Sequence, residues 1–543
     1  MGATLRALRA LVLLCGFYLL SLVILAVLIG LDAAVLTEMH GMAAGKLLIV
    51  TVLLAVPVVR GMFMLRTPKG DDLPGVEATE EGEPRLWALV RELAAATGTR
   101  APDRILLTAD VNAAVSERAR LLGLLPGSRT LYLGVPLLTG LGEAQLRAVL
   151  AHEYGHFTGG DTRLSALVVR GRAQIGRVIE QFHARADGKE ESERARQEKA
   201  AAKRVAKGKK AREVDTAGSG WTYRMMAAVY TLYGRLYMRA SLSTARAQEY
   251  TADLTAARIA GRDATASALR EIQVLSTSHD FYLQSYATLG LPARVLPPRG
   301  EFFGGFGRLL AAREEELVEM RQDLPAEPVS PYDSHPPIAD RVRRIEALPD
   351  DGRDAGGTGT ALTLLSDAPR AQEALEDAVL RQEILAFRRT AEWTELLNAT
   401  MAENLSAAHT PLHRALAEYT GQPATLDALL ALIDEGRLWR LAERLPLSEE
   451  AAAAKGRAFR EFLRPRLTGW LRTMVLAEFN ARSLLRWEFS WSRPAAVVLP
   501  GGDATQDGNP EAALRAALDA ALADHPDTAP LRALLPPVPA PQA

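Results

Sequence analysis

The chain has 543 residues, with 64 basic and 65 acidic side chains and one cysteine, Cys15. That length exceeds one ordinary domain, and the balanced charge excludes a bulk electrostatic attraction to nucleic acid. The lone cysteine excludes an internal disulfide framework and any cysteine-rich metal site, and it fits a reducing compartment.

Ala10 to Leu31 is 22 residues without a charge, the length of a bilayer span. A cleaved leader would have a shorter apolar core, so a retained transmembrane helix is expected. Lys46 to Leu65 is the second expected span. It contains Pro57 and Arg60, with Lys46 and Arg60 able to snorkel. Arg6 and Arg9 precede the first span, and Arg60, Arg66 and Lys69 follow the second. The short connection carries Asp32 and Glu38. The positive-inside rule then places both termini in the cytoplasm. Residues 1–66 read as the membrane anchor and 67–82, rich in Gly, Pro and acids, as a linker.

Pro84 opens a helix with Leu86, Leu89, Val90 and Leu93 on one face. Arg104 to Thr108 and Thr130 to Val135 read as strands, with the Asp110–Val115 segment between them. Leu146, Val149 and Leu150 then mark a buried helical stripe that runs into His152-Glu153-Tyr154-Gly155-His156. On a helix His152 and His156 share a face, so both imidazoles can reach one metal ion, and Glu153 can exchange a proton with a metal-activated water. The competing reading is an amphipathic helix with two histidines by chance. Gly155 costs about 1 kcal/mol in a helix, which suggests that something approaches closely there. Gly159-Gly160 is the expected stop.

Asp161 to His183 is helical in pattern, and Arg163, Arg170, Arg172 and Arg177 argue against a further span. A charged insertion at about 188–219 follows, a mobile segment or a solvated helix by composition. Trp221 to Met238 carries Arg224 and Arg235 and reads as a core or interfacial helix. Glu249 and Asp253 are four apart on the next helical stretch, a pair suited to one metal-ligating carboxylate and one that holds a ligand imidazole. Taken alone they could equally be two solvated acids. Phe302 to Gly307 reads as a flexible aromatic loop, and His335 precedes the extended Pro336-Pro337.

Three linked motifs now stand in order. They are His152-Glu153-x-Gly155-His156 with Asp161 five residues on, Arg246-x-x-Glu249-x-x-Ala252-Asp253, and His335-Pro336-Pro337 with Arg344-Ile345 behind it. This set resembles the HtpX-like and CAAX-prenyl-endopeptidase-like membrane zinc metallopeptidases, over roughly Glu83 to Leu348. The resemblance implies an α+β zincin-type domain, mainly α with a small sheet, at 83–348. It implies one Zn2+ per chain held by His152, His156 and Glu249, with Glu153 as general base. Asp253, Arg246 and Asp161 would support the ligands, and His335 would steady the oxyanion. Asn112 and Ala113 would form the sheet edge that receives a peptide. The implied protein is a multi-pass (inner) cell-membrane endopeptidase with its catalytic domain in the cytoplasm, in contact with the lipid bilayer and a peptide or protein substrate. That substrate would be a misfolded membrane protein or, less in keeping, a prenylated carboxyl-terminal peptide. The alternative is a membrane-anchored scaffold with a structural zinc site.

After a linker at 349–359, residues 360–534 show helical apolar spacing at Leu375, Val379, Leu380 and Ile384 and again downstream. No catalytic constellation is visible, so a C-terminal α-helical domain for packing, for recognition of a protein partner or for substrate presentation is expected. Residues 535–543 read as a disordered tail.

Overall fold

The computed structural model describes residues 3–38, 42–63, 73–120, 125–158, 162–207, 210, 215–216, 218–322, 336–353, 359–499 and 510–535. They fall into two compact units. One comprises Met1–Thr277 with Leu317–Ala371, the other Ser278–Glu316 with Gln372–Ala543.

The first unit begins with helices α1 (Ala3–Glu38) and α2 (Met42–Phe63), each long and apolar enough to cross a membrane. Pro57 lies inside α2 without ending it. A four-stranded sheet follows, in the order β1 (Val76–Glu77), β2 (Arg104–Thr108), β4 (Leu125–Gly134), β3 (Ala113–Arg120). Strand β2 runs parallel to β4, and β3 pairs antiparallel with β4 in the register Ala113–Leu133. Among the described residues β3 pairs with β4 alone, so β3 forms one edge of the sheet. Part of the expected linker therefore adds a strand: Val76 and Glu77 pair with Leu107 and Leu106.

Helix α3 (Pro84–Ala96) takes Pro84 in its first turn and buries Leu86, Leu89, Val90 and Leu93. After α4 (Val135–Gly140), helix α5 (Glu143–Gly155) carries the histidine motif. The Gln145 side chain accepts from the Gly142 N–H at 2.8 Å and so closes the first turn of α5. Two very long helices come next, α6 (Thr162–Val205) and α7 (Trp221–Ala260). The charged insertion is thus largely helix, a continuation of α6. Helix α8 (Arg262–Tyr282) follows, and α11 (Ile338–Glu346) packs Val342 and Ile345 against Ala257, Ala266 and Leu269.

The second unit is helical with short strand pairs. Its main core gathers Leu429, Leu430, Leu441, Leu463, Leu467, Val475 and Leu518 among others. Phe302 to Gly307, expected as a loop, belongs to helix α9 (Glu301–Ala312), which α10 (Glu314–Gln322) follows in the chain. Phe302, Phe303, Phe306 and Leu309 bury one face, and that burial outweighs the cost of Gly304, Gly305 and Gly307. The fully buried Glu376 accepts from the Phe302 N–H at 2.8 Å and pairs with Arg389 at 2.6 Å.

Candidate metal centre

Helices α5 and α7 meet at Gly155. A β-carbon there would lie 2.9 Å from the Ala252 Cα, so only glycine permits this approach. Ala252 and Ala256 are fully buried and extend the same close seam on α7. The approach sets the histidines of α5 opposite Glu249 and Asp253. Helix α5 ends at Gly155, earlier than the Gly159-Gly160 stop, and His156 is its C-cap residue with a still-helical backbone. Both imidazoles therefore stay on the face turned to α7. Beyond them, Phe157 packs under the Arg129 guanidinium, 4.3 Å from its ring centre.

Three donor atoms converge, one each from His152, His156 and Glu249, all within 4.8 Å of one another. The two Nε2 atoms lie 3.2 Å apart, and Glu249 Oε2 and Oε1 lie 3.6 and 3.7 Å from His152 and His156. Tetrahedral zinc at about 2.0–2.1 Å from nitrogen and oxygen separates its donors by roughly 3.3–3.5 Å. The spacings are of that size, and two imidazoles with one carboxylate suit zinc. The residues fit the ion.

The opposite side of His152 is held by a buried carboxylate. Asp253 Oδ1 is 3.0 Å from His152 Nδ1, which assigns the proton to Nδ1 and leaves Nε2 as the donor to a metal. Arg341, on α11, donates to both Asp253 oxygens, from Nε at 2.9 Å and from Nη2 at 2.7 Å. Its Nη2 is also 3.6 Å from Glu249 Oε2. Burial disfavours a charged His152, but hydrogen bonds to Asp253 and Glu249 outweigh it and raise the pKa to about 9. Burial alone would raise the Asp253 pKa, yet the hydrogen bonds from Arg341 and His152 bring it below the usual range.

A cavity of about 190 Å³ opens beside His152 and the half-buried Glu153. Asn112 and Ala113 stand at its rim, where β3 begins, and its apolar wall includes Leu137, Val149, Ala268 and Leu269. Gly134 lets the rim segment pass, since its N–H donates to Asn112 O at 2.8 Å and a β-carbon would strike Asn112 O and the Asp110 backbone. Arg246 is half-buried on α7, one turn before Glu249. His335 and Asp161 lie outside the described residues.

Sequence reasoning did not single out Arg341. A signal was present. Ile338, Arg341, Val342 and Ile345 share one face of α11, so Arg341 occupies a position on the apolar stripe of a short helix. A charge there needs a buried partner.

The model of peptidase family M48 matches residues 80–348. No curated protein and no solved structure matches the chain. The family match covers the helix with both histidines, the helix with Glu249 and Asp253, and the helix with Arg341. Through residues 80–348 the chain belongs to peptidase family M48, a family of zinc-dependent metallopeptidases.

Proposed function

We propose that the protein is a membrane-anchored zinc endopeptidase acting on membrane-associated or misfolded proteins. The observation that carries this is the convergence of His152, His156 and Glu249 beside Glu153 in an apolar cleft. Bound zinc would supply Lewis-acid polarisation of the scissile carbonyl and a water acidified toward a pKa of about 7.

The chain's own residues do the rest. Glu153 takes the proton of the attacking water and returns it to the leaving amine. Asp253 holds His152 in one tautomer and one orientation, and Arg341 holds Asp253. An extended peptide adds to the free edge of β3 at Asn112 and Ala113, gaining main-chain hydrogen bonds that tolerate many sequences. An apolar side chain next to the scissile bond enters the cavity. His335 steadies the oxyanion.

Helices α1 and α2 anchor the protein, with both termini and the catalytic body in the cytoplasm by the basic flanks Arg6, Arg9, Arg66 and Lys69. Anchoring concentrates the cleft where membrane proteins present unfolded segments. The C-terminal helical unit provides a surface for a protein partner.

The test is chelation and reconstitution in detergent. Casein cleavage should vanish with metal removal and return with one equivalent of zinc. Cleavage that persists in a zinc-free preparation would refute the reading.

A further inference from the structure

A further cavity, of about 280 Å³, lies wholly within the carboxyl-terminal unit, outside the residues that the family model matches. Leu289, Leu397, Met401 and Phe489 form its apolar wall, and Ser285, Arg313 and Arg493 stand around it. Among the described residues that line it there is no acid. We propose that this cavity binds the carboxyl-terminal residue of a peptide, with the apolar side chain against that wall and the α-carboxylate at Arg493 and Arg313. The inference is independent of the metal centre. It goes beyond a general partner surface by naming the part of the partner that is held.

The cavity is built by a hairpin laid on helices. Arg486–Glu488 pairs with Ala496–Val498, and residues 489–495 form the loop between them. Asn398, on the helix Trp393–Ser406, clamps the hairpin: its side-chain nitrogen donates to Trp487 O at 3.0 Å, and its oxygen accepts from the Trp487 N–H at 2.9 Å. The Tyr286 hydroxyl donates to the Ser490 and Trp491 carbonyls at 3.2 and 3.1 Å. Arg313 Nε donates to Trp491 O at 2.8 Å. Within the loop, the Ser490 hydroxyl accepts from the N–H of Ser492 and of Arg493, each at 3.2 Å. Trp491 stacks on Tyr286 with ring centres 5.0 Å apart and meets Trp393 and Phe489 edge-on, each at 4.9 Å. A wall fixed in this way loses little freedom on binding. Leu283–Ala287 adds a single π-helical turn, a rare geometry that recurs at functional sites. That turn carries Ser285 to the cavity and Tyr286 to the loop.

Size and charge select the occupant. Sites for drug-sized ligands and cofactors run to about 300–1,000 Å³, so this one takes little more than one side chain with its carboxylate. Arg313 lies over the Phe281 ring at 5.1 Å and pairs with Glu316 at 2.7 Å, which holds it in place and offsets part of its charge. Arg493 is exposed and has no acidic partner among the described residues. A guanidinium fork matches the two oxygens of a carboxylate. Phe281, 42% exposed, extends the apolar surface outward from the cavity. A carboxylate with no apolar neighbour gains nothing from Leu397 and Met401, and an apolar segment with no carboxylate leaves the arginines unused. The last residue of a chain carries both on one Cα. The Ser285 hydroxyl has no hydrogen-bond partner among the described residues, so it can accept from the peptide's main-chain N–H, a group that a fatty acid lacks.

The test uses the full-length chain in detergent as Glu153→Gln, so that the probe is not cleaved. The probe is a decapeptide ending in Leu, fluorescent at its amino end, and binding is read by anisotropy. The free acid should bind about tenfold or more tighter than the same peptide as its carboxamide, and tighter than an acid ending in Gly. Arg493→Glu should abolish the preference for the acid, and Arg493→Lys should keep part of it. Met401→Trp should fill the wall and bring the Leu-ended acid down to the Gly-ended one. Arg493 is at the surface, so its variants should keep the fold, which an unchanged melting temperature checks. Equal binding of acid and carboxamide, or an Arg493→Glu protein that still prefers the acid, overturns the proposal. Binding of decanoate but not of the peptide acid also overturns it, since the occupant would then be a lipid.

Discussion

Asp253→Asn keeps the side chain's size and removes its charge. The carboxylate is buried, 3.0 Å from His152 Nδ1, and accepts twice from Arg341 at 2.9 and 2.7 Å. Loss of the carboxylate behind a ligand histidine weakens metal affinity by about 10–100-fold. The arginine adds to this. Breaking a buried ion pair costs about 3–5 kcal/mol when the partner is left alone. Arg341 is not left alone, because Glu249 Oε2 is 3.6 Å away. The stability loss should therefore sit near the lower figure, about 3 kcal/mol. An arginine drawn onto Glu249 competes for a zinc ligand, so the affinity loss should approach about 100-fold, near 2.7 kcal/mol. The assay is zinc competition with a chromophoric chelator, alongside thermal melting. Adding Arg341→Met to Asp253→Asn removes the competitor and should recover part of the affinity. Zinc affinity unchanged in a folded Asp253→Asn protein would refute the role given to Asp253, and no recovery in the double variant would refute the competition.

The raised His152 pKa makes zinc compete with a proton. Zinc uptake at pH 7.5 should release about one proton, and apparent affinity should rise up to tenfold per pH unit until about pH 9. Calorimetry in buffers of different ionisation enthalpy reads this directly. In the metal-free protein the same group stabilises the fold fully below its unfolded pKa of about 6.5, and that share is lost as pH rises through about 9; a melting temperature that rises over that window on this account would be the wrong sign. Ala268→Phe should fill the cavity beside Glu153 and shift cleavage from large to small apolar side chains, by about 10–200-fold on a peptide library. Gly155→Ala forces α5 from α7 and should cost about 1–3 kcal/mol while weakening zinc binding, since the new methyl lies 2.9 Å from Ala252 Cα.

What the sequence made legible was what depends on short-range spacing. His152 and His156 are four apart on a helix, as are Glu249 and Asp253, so each pair shares a face before any tertiary contact exists. That the two faces meet depended on Gly155, whose helical cost pointed to a close approach, and on Ala252, which stood in the sequence as a motif position with no packing role attached. Arg341 was hidden among Arg341, Arg343 and Arg344, which resemble the solvated side of a helix until its apolar stripe is traced. Helix α9 was misread because three glycines in six residues weigh toward a loop locally, whereas its phenylalanines are stabilised by tertiary burial.

The central claim is that Glu153 acts as a base at a hydrolytic metal centre. Glu153→Gln and wild type should be purified in detergent, brought to equal zinc content, and compared on casein and on a membrane-protein substrate. Loss of at least about 100-fold in rate with zinc retained is the expected result, the size of a general acid–base contribution. Equal cleavage by both proteins, or none by either under conditions where zinc is bound, would contradict it.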